Sequence, residues 1–353
     1  MTDTPLPAAA PGSELLADPG EDPQRWPLLG PDTGEEPLSA EEGDYVRASK
    51  ASATVSAYQA DWREFCQWCD HEQRQSLPAD PAAVSGYLAM LARAGARVST
   101  MSRRMAAIRF FHGLRDLPDP TSPARVTAVW EGIRRTHGAP PDQAPPLMPP
   151  QLFDLIAATG TTRTFRTRPA EPDLAGARDR ALLLVGFWSA LRCSELCELT
   201  IDNVLPHDRG RVLVIPSSKT NQRGEQTELV ILPRGAHPEA CPVRALDRWI
   251  EVAAITDGPV LRRVSTGNRI TAGRFHRTSV NRRITALAAA AGHGDIGYSP
   301  HSMRAGFVTW THLRGASDRE IAAQTRHRSL SSVGGYVRVE SAWTGNAATN
   351  MGL

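Results

Sequence analysis

Residues 138–150 carry six prolines and one glycine, and no bulky apolar residue before Leu147. Proline holds φ near about −65° and donates no backbone hydrogen bond, so neither a helix nor a sheet interior can run through such a segment. It reads as a stiff, extended linker. The chain must therefore fold in two pieces divided near residue 145, and its 353 residues suit two domains plus a tail.

Before the linker, Val55, Tyr58, Trp62, Phe65 and Cys69 recur at helical spacing, which predicts an amphipathic helix ending before Leu77-Pro78. Residues 84–94 read as a second helix, entered through Pro81 and closed at Gly95. Ser99-Thr100 offer a cap for a third over 101–114, with Arg103, Arg104 and Arg109 on its exposed face. Residues 124–137 make a fourth. Together they predict a compact helical domain over 46–137. After the linker, 151–159 and 177–190 read as helices, the latter apolar enough for a core. Residues 211–215 and 227–232 are β-rich runs around a polar tip at 217–225, the pattern of a hairpin. Helices resume at 242–254, 277–291, 301–314 and 317–326, and a last one holds Tyr336. The expected fold class is mainly α with a small antiparallel sheet: a helical domain followed by an α+β domain over 151–336. A tail over 337–353 carries Trp343, Ala347 and Met351 four apart, a short apolar stripe for its own domain or for a neighbouring subunit.

Charge narrows the partners. Residues 1–45 hold one basic residue, Arg25, against eleven acidic ones, while the rest of the chain holds 39 basic against 27 acidic. That body attracts a polyanion, because neutralising phosphates releases condensed counterions. The Pro-rich acidic segment 1–45 reads as a disordered tail of the wrong sign for a DNA-binding arm. Only Lys50 and Lys219 are lysines. Arg forks grip phosphate bidentately, although a coding bias towards Arg accounts for the preference as well; either way Lys219 stands out. No apolar run approaches the length of a membrane span, and no basic patch precedes an apolar stretch at the N-terminus, so an intracellular location is expected. Five cysteines, an odd number, argue against a disulfide framework. Cys66 and Cys69 have C-x-x-C spacing but sit among Trp62, Phe65 and Trp68, and Cys193 and Cys197 have no matching His pair. Both pairs read as core residues, and no metal site is expected.

Several polar residues lie where the apolar pattern does not require them. Arg192 and Glu195 share a helical face among Leu191, Leu196 and Leu199. Glu195 either simply neutralises Arg192 or leaves it free to address a substrate phosphate. His301 and Arg304 stand one turn apart. His327 and Tyr336 are nine residues apart around Gly334-Gly335, and Lys219 occupies the hairpin tip. The ordered set is far more specific than any member.

With that order, Arg192, Glu195, Lys219, His301-x-x-Arg304, His327 and Tyr336, the sequence resembles the tyrosine recombinase or phage integrase family. Its surroundings are similar to Cre-type recombinases: Leu77-Pro78-Ala79-Asp80-Pro81 leading to Tyr87-Leu88, His301-Ser302-x-Arg304-x-Gly306, and Tyr336-Val337-Arg338. The likeness covers about residues 46–345. It implies a SAM-like helical core-binding domain and a catalytic domain clamped around double-stranded DNA bearing inverted-repeat sites. It also implies a homotetramer in the synapse, a cytoplasmic, nucleoid-associated location, and no metal or nucleotide cofactor. Tyr336 would be the nucleophile that forms a 3′-phosphotyrosyl link. Arg192 and Arg304 would clamp the nonbridging oxygens, Lys219 would be the general acid, His301 a base or orienting donor, and His327 a phosphate donor. Glu195 would position a neighbour. Arg282 is expected to read a base, Arg283 and Arg263 to touch phosphate, and Arg103 and Arg104 to do the same from the helical domain.

Two departures stand out. Before the second His the family commonly has Gly, whereas this chain has Arg326, which either alters the turn or adds a phosphate contact. The acidic 1–45 segment is also unlike the arm-binding domain of lambda-type integrases. The alternatives are a type IB topoisomerase with the same chemistry, or a catalytically silent DNA-binding regulator on the same fold.

Overall fold

The computed structural model describes residues 39, 41–42, 45, 49–140, 142–167, 169–215 and 228–326. These form two compact units divided between Pro140 and Pro141. Nearly all of the acidic tail, the hairpin tip with Lys219, and the segment with His327, Tyr336 and residues 337–353 lie outside the described residues.

The first unit consists of α1 (Ser52–His71), α2 (Pro81–Arg93), α3 (Val98–Gly113) and α4 (Ala124–His137). Asp80 caps α2, its carboxylate accepting from the Ala82 and Ala83 amides, and Pro81 fits the first turn, where no donor is needed. At its other end Gly95 adopts φ +74, which lets the Ala96 amide return to the Leu91 carbonyl. The expected Ser99-Thr100 cap is not used. The chain is already helical at Val98, so both hydroxyl residues sit inside the first turn of α3. The apolar faces meet in a core of Phe65, Cys69, Val84, Tyr87, Leu88, Met101, Ile108, Val126 and Ile133. Each large side chain contributes roughly 1.5–3 kcal/mol by leaving water. His112 is fully buried there. Its Nδ1–H donates to the Ile108 carbonyl at 2.8 Å and its Nε2 accepts from the Ala79 amide at 2.9 Å. Burial pushes its pKa down, consistent with the neutral tautomer those bonds require.

The second unit begins inside the segment read as linker. Leu147 is fully buried and its amide donates to the Ser302 carbonyl at 2.9 Å. Pro149 and Pro150 are the first turn of α5 (Pro149–Ala157). Next come a two-residue ladder, β1 (Thr162–Arg163) with β2 (Glu171–Pro172), then α6 (Leu174–Ser189) and the short α7 (Cys193–Glu198). As its composition implies, α6 is buried almost all round. The predicted hairpin is present as β4 (Gly210–Ile215) and β5 (Glu228–Pro233), joined on the other side of β4 by β3 (Val204–His207). All pairs are antiparallel, with Leu213 opposite Val230 and Ile215 opposite Glu228. Alternation turns Leu213, Ile215, Val230 and Leu232 into the core. Then follow α8 (Pro242–Val252), the ladder β6 (Arg262–Val264) with β7 (Ile270–Arg274), α9 (Arg277–Ala290), α10 (Pro300–Leu313) and α11 (Asp318–Thr325). The last is opened by a capping box between Ser317 and Glu320. The chain is thus mainly helical with small antiparallel sheets. Among the described residues no helix is long and apolar enough to cross a membrane.

Candidate active site

Helix α6 stops because Ala190 turns into the left-handed region, φ +49, and two residues later Arg192 caps α7. Glu195, 4% exposed, serves both ends of Arg192: one carboxylate oxygen accepts from its backbone amide and the other from Nη1, each at 2.8 Å. Arg304 projects from α10 and is 1% exposed. Its Nη1 donates to the Ala190 carbonyl and its Nη2 to the Thr325 carbonyl, both at 2.6 Å. These are orphan acceptors at the ends of α6 and α11, so one buried guanidinium ties both turns to α10.

His301 lies one turn before Arg304 and is exposed. Partial desolvation of its ring, then the charges of Arg304 and Arg192, hold its pKa below the ordinary value. Arg192 and Arg304 are therefore both within electrostatic reach of His301. Glu195 answers part of the Arg192 charge, and the grouping is cationic on balance.

Arg326 resolves the departure noted in the sequence. It ends α11 in the left-handed conformation, φ +58, which glycine adopts without strain. The turn is kept. Its side chain, however, runs inward rather than outward, donating from Nη1 to Glu228 at 2.7 Å and from Nη2 to the Glu195 oxygen that also accepts the Arg192 amide. Gln324 adds bonds to the Trp188 and Ile231 carbonyls at 3.0 and 2.9 Å. The end of α11 is thereby fastened to α6, α7 and β5. Of the expected set, Lys219, His327 and Tyr336 lie outside the described residues.

The arginines expected at DNA divide into two groups. Arg103 faces Asp61, which is 2% exposed, with both of its forks at 3.0 Å. Arg104 is largely buried against Glu64, Tyr87 and Asp61, so it is not on the open face of α3. Burial raises the Asp61 pKa and the two guanidiniums counter that. Arg283 pairs with the fully buried Asp179, which Arg178 also holds at 2.7 Å. Stripping a cation from a buried carboxylate costs several kcal/mol, so Arg104 and Arg283 are committed to the fold. Arg282 and Arg263 are exposed and have no carboxylate partner among the described residues, and the same holds for the neighbouring Arg269, Arg274 and Arg277. Arg277 also bears on the site. The Cys193 thiol is pulled down by a hydrogen bond from Cys197, with Arg277 adding to the effect, which places α9 beside α7.

The described residues contain five free cysteines and no cluster of three metal-ligating side chains. Cys69 is buried, and burial pushes its thiol up to about 12, as befits a core residue. Arg326 was singled out in the sequence as a departure from glycine, but its pairing with Glu195 and Glu228 was not foreseen. Glu228 and Asp179 were not singled out, and no sequence signal marked them.

The profile of the phage integrase family matches residues 164–342, and that of the phage integrase N-terminal SAM-like domain matches residues 44–115. The integrase/recombinase xerD homolog of Selenomonas ruminantium is 30% identical over 319 residues, 90% of each chain. The recombinase cre of Escherichia phage P1 is 23% identical over 299 residues, 80% of this chain and 83% of that one. Among solved structures, the Tn1549 transposon integrase in complex with transposon right end DNA matches with a TM-score of 0.55 at 12% identity, covering 86% of this chain and 95% of that one. The chain belongs to the phage integrase family of tyrosine recombinases. Within it the likeness extends to Cre without singling Cre out, since the xerD homolog shares more identity.

Proposed function

We propose that this protein is a site-specific recombinase that cleaves and rejoins double-stranded DNA through a covalent 3′-phosphotyrosyl link to Tyr336. The observation that carries the reading is the grouping of Arg192, His301 and Arg304: Arg192 is held by Glu195 and Arg304 by two helix-end carbonyls, and both arginines act electrostatically on His301. Preorganised cations of this kind stabilise charge that grows in the transition state, and removing one such donor typically costs about 10²–10³ in rate. In the proposed reaction the Tyr336 oxygen attacks phosphorus and the bond to the 5′ oxygen breaks. Arg192 and Arg304 neutralise the nonbridging oxygens, and Lys219 hands a proton to the departing 5′ oxygen. His301, neutral at pH 7, accepts or orients the phenol proton, and His327 donates to the phosphate. No metal or ATP is required, because the phosphotyrosyl bond conserves the energy of the phosphodiester.

The helical unit over 46–137 and the catalytic domain over 151–336 would both bind DNA carrying inverted-repeat sites. Arg282 would read a base and Arg263 touch phosphate, together with Arg269, Arg274 and Arg277; a bidentate Arg–guanine contact is worth about 1–3 kcal/mol of discrimination. Four subunits would form the synapse, with residues 337–353 exchanged between neighbours, in a cytoplasmic, nucleoid-associated setting. The test is an SDS gel of nicked site DNA incubated in EDTA with wild type and Tyr336→Phe. A DNA-shifted band from wild type alone is expected. Specific binding with no adduct, or an adduct formed only with magnesium, would overturn the reading.

A further inference from the structure

Glu195 does not belong to Arg192 alone. Its carboxylate accepts from Arg192 Nη1 at 2.8 Å and, through the oxygen that caps the Arg192 amide, from Arg326 Nη2. Arg326 is 7% exposed at its side chain and reaches on to Glu228, whose backbone stands opposite Ile215 at the last pair of the β4–β5 ladder before the connecting segment. The result is an alternating chain of charges: Arg192, Glu195, Arg326, Glu228. We infer that Arg326 is a positioning residue, which shares the Glu195 carboxylate and so leaves the Arg192 guanidinium electrostatically available to a substrate phosphate. The inference rests on the recombinase reading for its phosphate, but the charge chain is a property of this structure.

The physical argument turns on the sharing. A carboxylate that is 3% exposed at its side chain must find cations, and with one cation it binds that one more tightly. With a second guanidinium on the same group, Arg192 keeps more of its positive potential for the substrate phosphate. Removing Arg326 leaves Glu195 to Arg192 alone and strands Glu228. Because Arg326 holds φ +58, Arg326→Gly removes the side chain while leaving the turn unstrained, so the variant should fold.

The experiment compares wild type, Arg326→Gly and Arg326→Lys in the full chain. DNA dissociation constants are measured together with the first-order rate of adduct formation on nicked site DNA. The expected result for Arg326→Gly is a dissociation constant within about twofold and a rate lower by roughly 10- to 100-fold, with part of the rate recovered in Arg326→Lys. A wild-type rate in Arg326→Gly, or a loss of rate matched by an equal loss of DNA affinity, would overturn the inference. The His301 titration, followed by NMR on the same proteins without DNA, gives a second readout. Tighter neutralisation of Arg192 by Glu195 should move its midpoint upward in Arg326→Gly, and an unmoved midpoint would count against the sharing. Failure of wild type to form an adduct would sink the recombinase reading, while this titration would still decide the role of Arg326.

Discussion

His301 stands where three effects act in one direction. Desolvation disfavours the imidazolium, and so do the charges of Arg304 and Arg192. Its folded-state pKa therefore lies below the free value of about 6.5. The unfolded chain takes up the proton first as pH falls, so the stability linked to this group is complete above pH of about 6.5 and is lost below it. NMR titration should place the His301 midpoint under that value, and Arg192→Gln should raise it by removing one of the three causes. A midpoint at or above the free value would show that the arginines do not act on the ring. Arg192 with Glu195, and His301 with Arg304, were legible in the sequence because each pair is three apart; only the second pair lies on one helix, since Arg192 stands just outside α7 as its N-cap. The Arg326–Glu195 pair was not, because it joins residues 131 apart. Nor could any pattern show that Arg304 would turn away from solvent to two helix-end carbonyls.

Among the elements, α10 carries both His301 and Arg304, and its placement depends on one absent side chain. A Cβ on Gly306 would overlap the carbonyl oxygen of Leu147, the residue whose amide donates to Ser302. Gly306→Ala should destabilise the second unit by about 1–3 kcal/mol, the usual cost of overpacking against backbone. Gly132, in α4, has nothing within 4 Å of where a Cβ would stand, so Gly132→Ala should stabilise the first unit by about 0.5–1 kcal/mol. Denaturant midpoints read for each unit check both signs, and an equally stable Gly306→Ala would refute the close approach. The helices were legible because a 3.6-residue apolar period persists over several turns, as in Val55 to Cys69. Strands β1 and β2, two residues each, are too short to show any period, and β3 contains Pro206 and His207, which strand propensity disfavours or ignores. The six-residue α7 was missed as an element for the same reason of length; the Arg192–Glu195 pairing was recognised, but it joins the N-cap to the first turn and does not lie along a helical face.

At the scale of the whole molecule, the formal charge of +2 is the sum of an acidic first 45 residues and a body with twelve more cations than anions. A chain truncated before residue 46 should bind nonspecific duplex several-fold more tightly at low salt, with the gap closing at about 1 M, where the Debye length falls to about 3 Å. Equal affinities at every salt concentration would mean that the segment does not screen the body. The other whole-molecule feature is the anchoring of Leu147, which lies in the core of the second unit although the Pro-rich composition around it suggests a mere connector. For anyone recombining modules of this family, the seam is thereby located: a foreign N-terminal module can be spliced upstream of Leu147, whereas a cut a few residues later would unplug the helix that carries His301 and Arg304. The last residues of the joint are inherited with the chemistry, not with the module they appear to introduce.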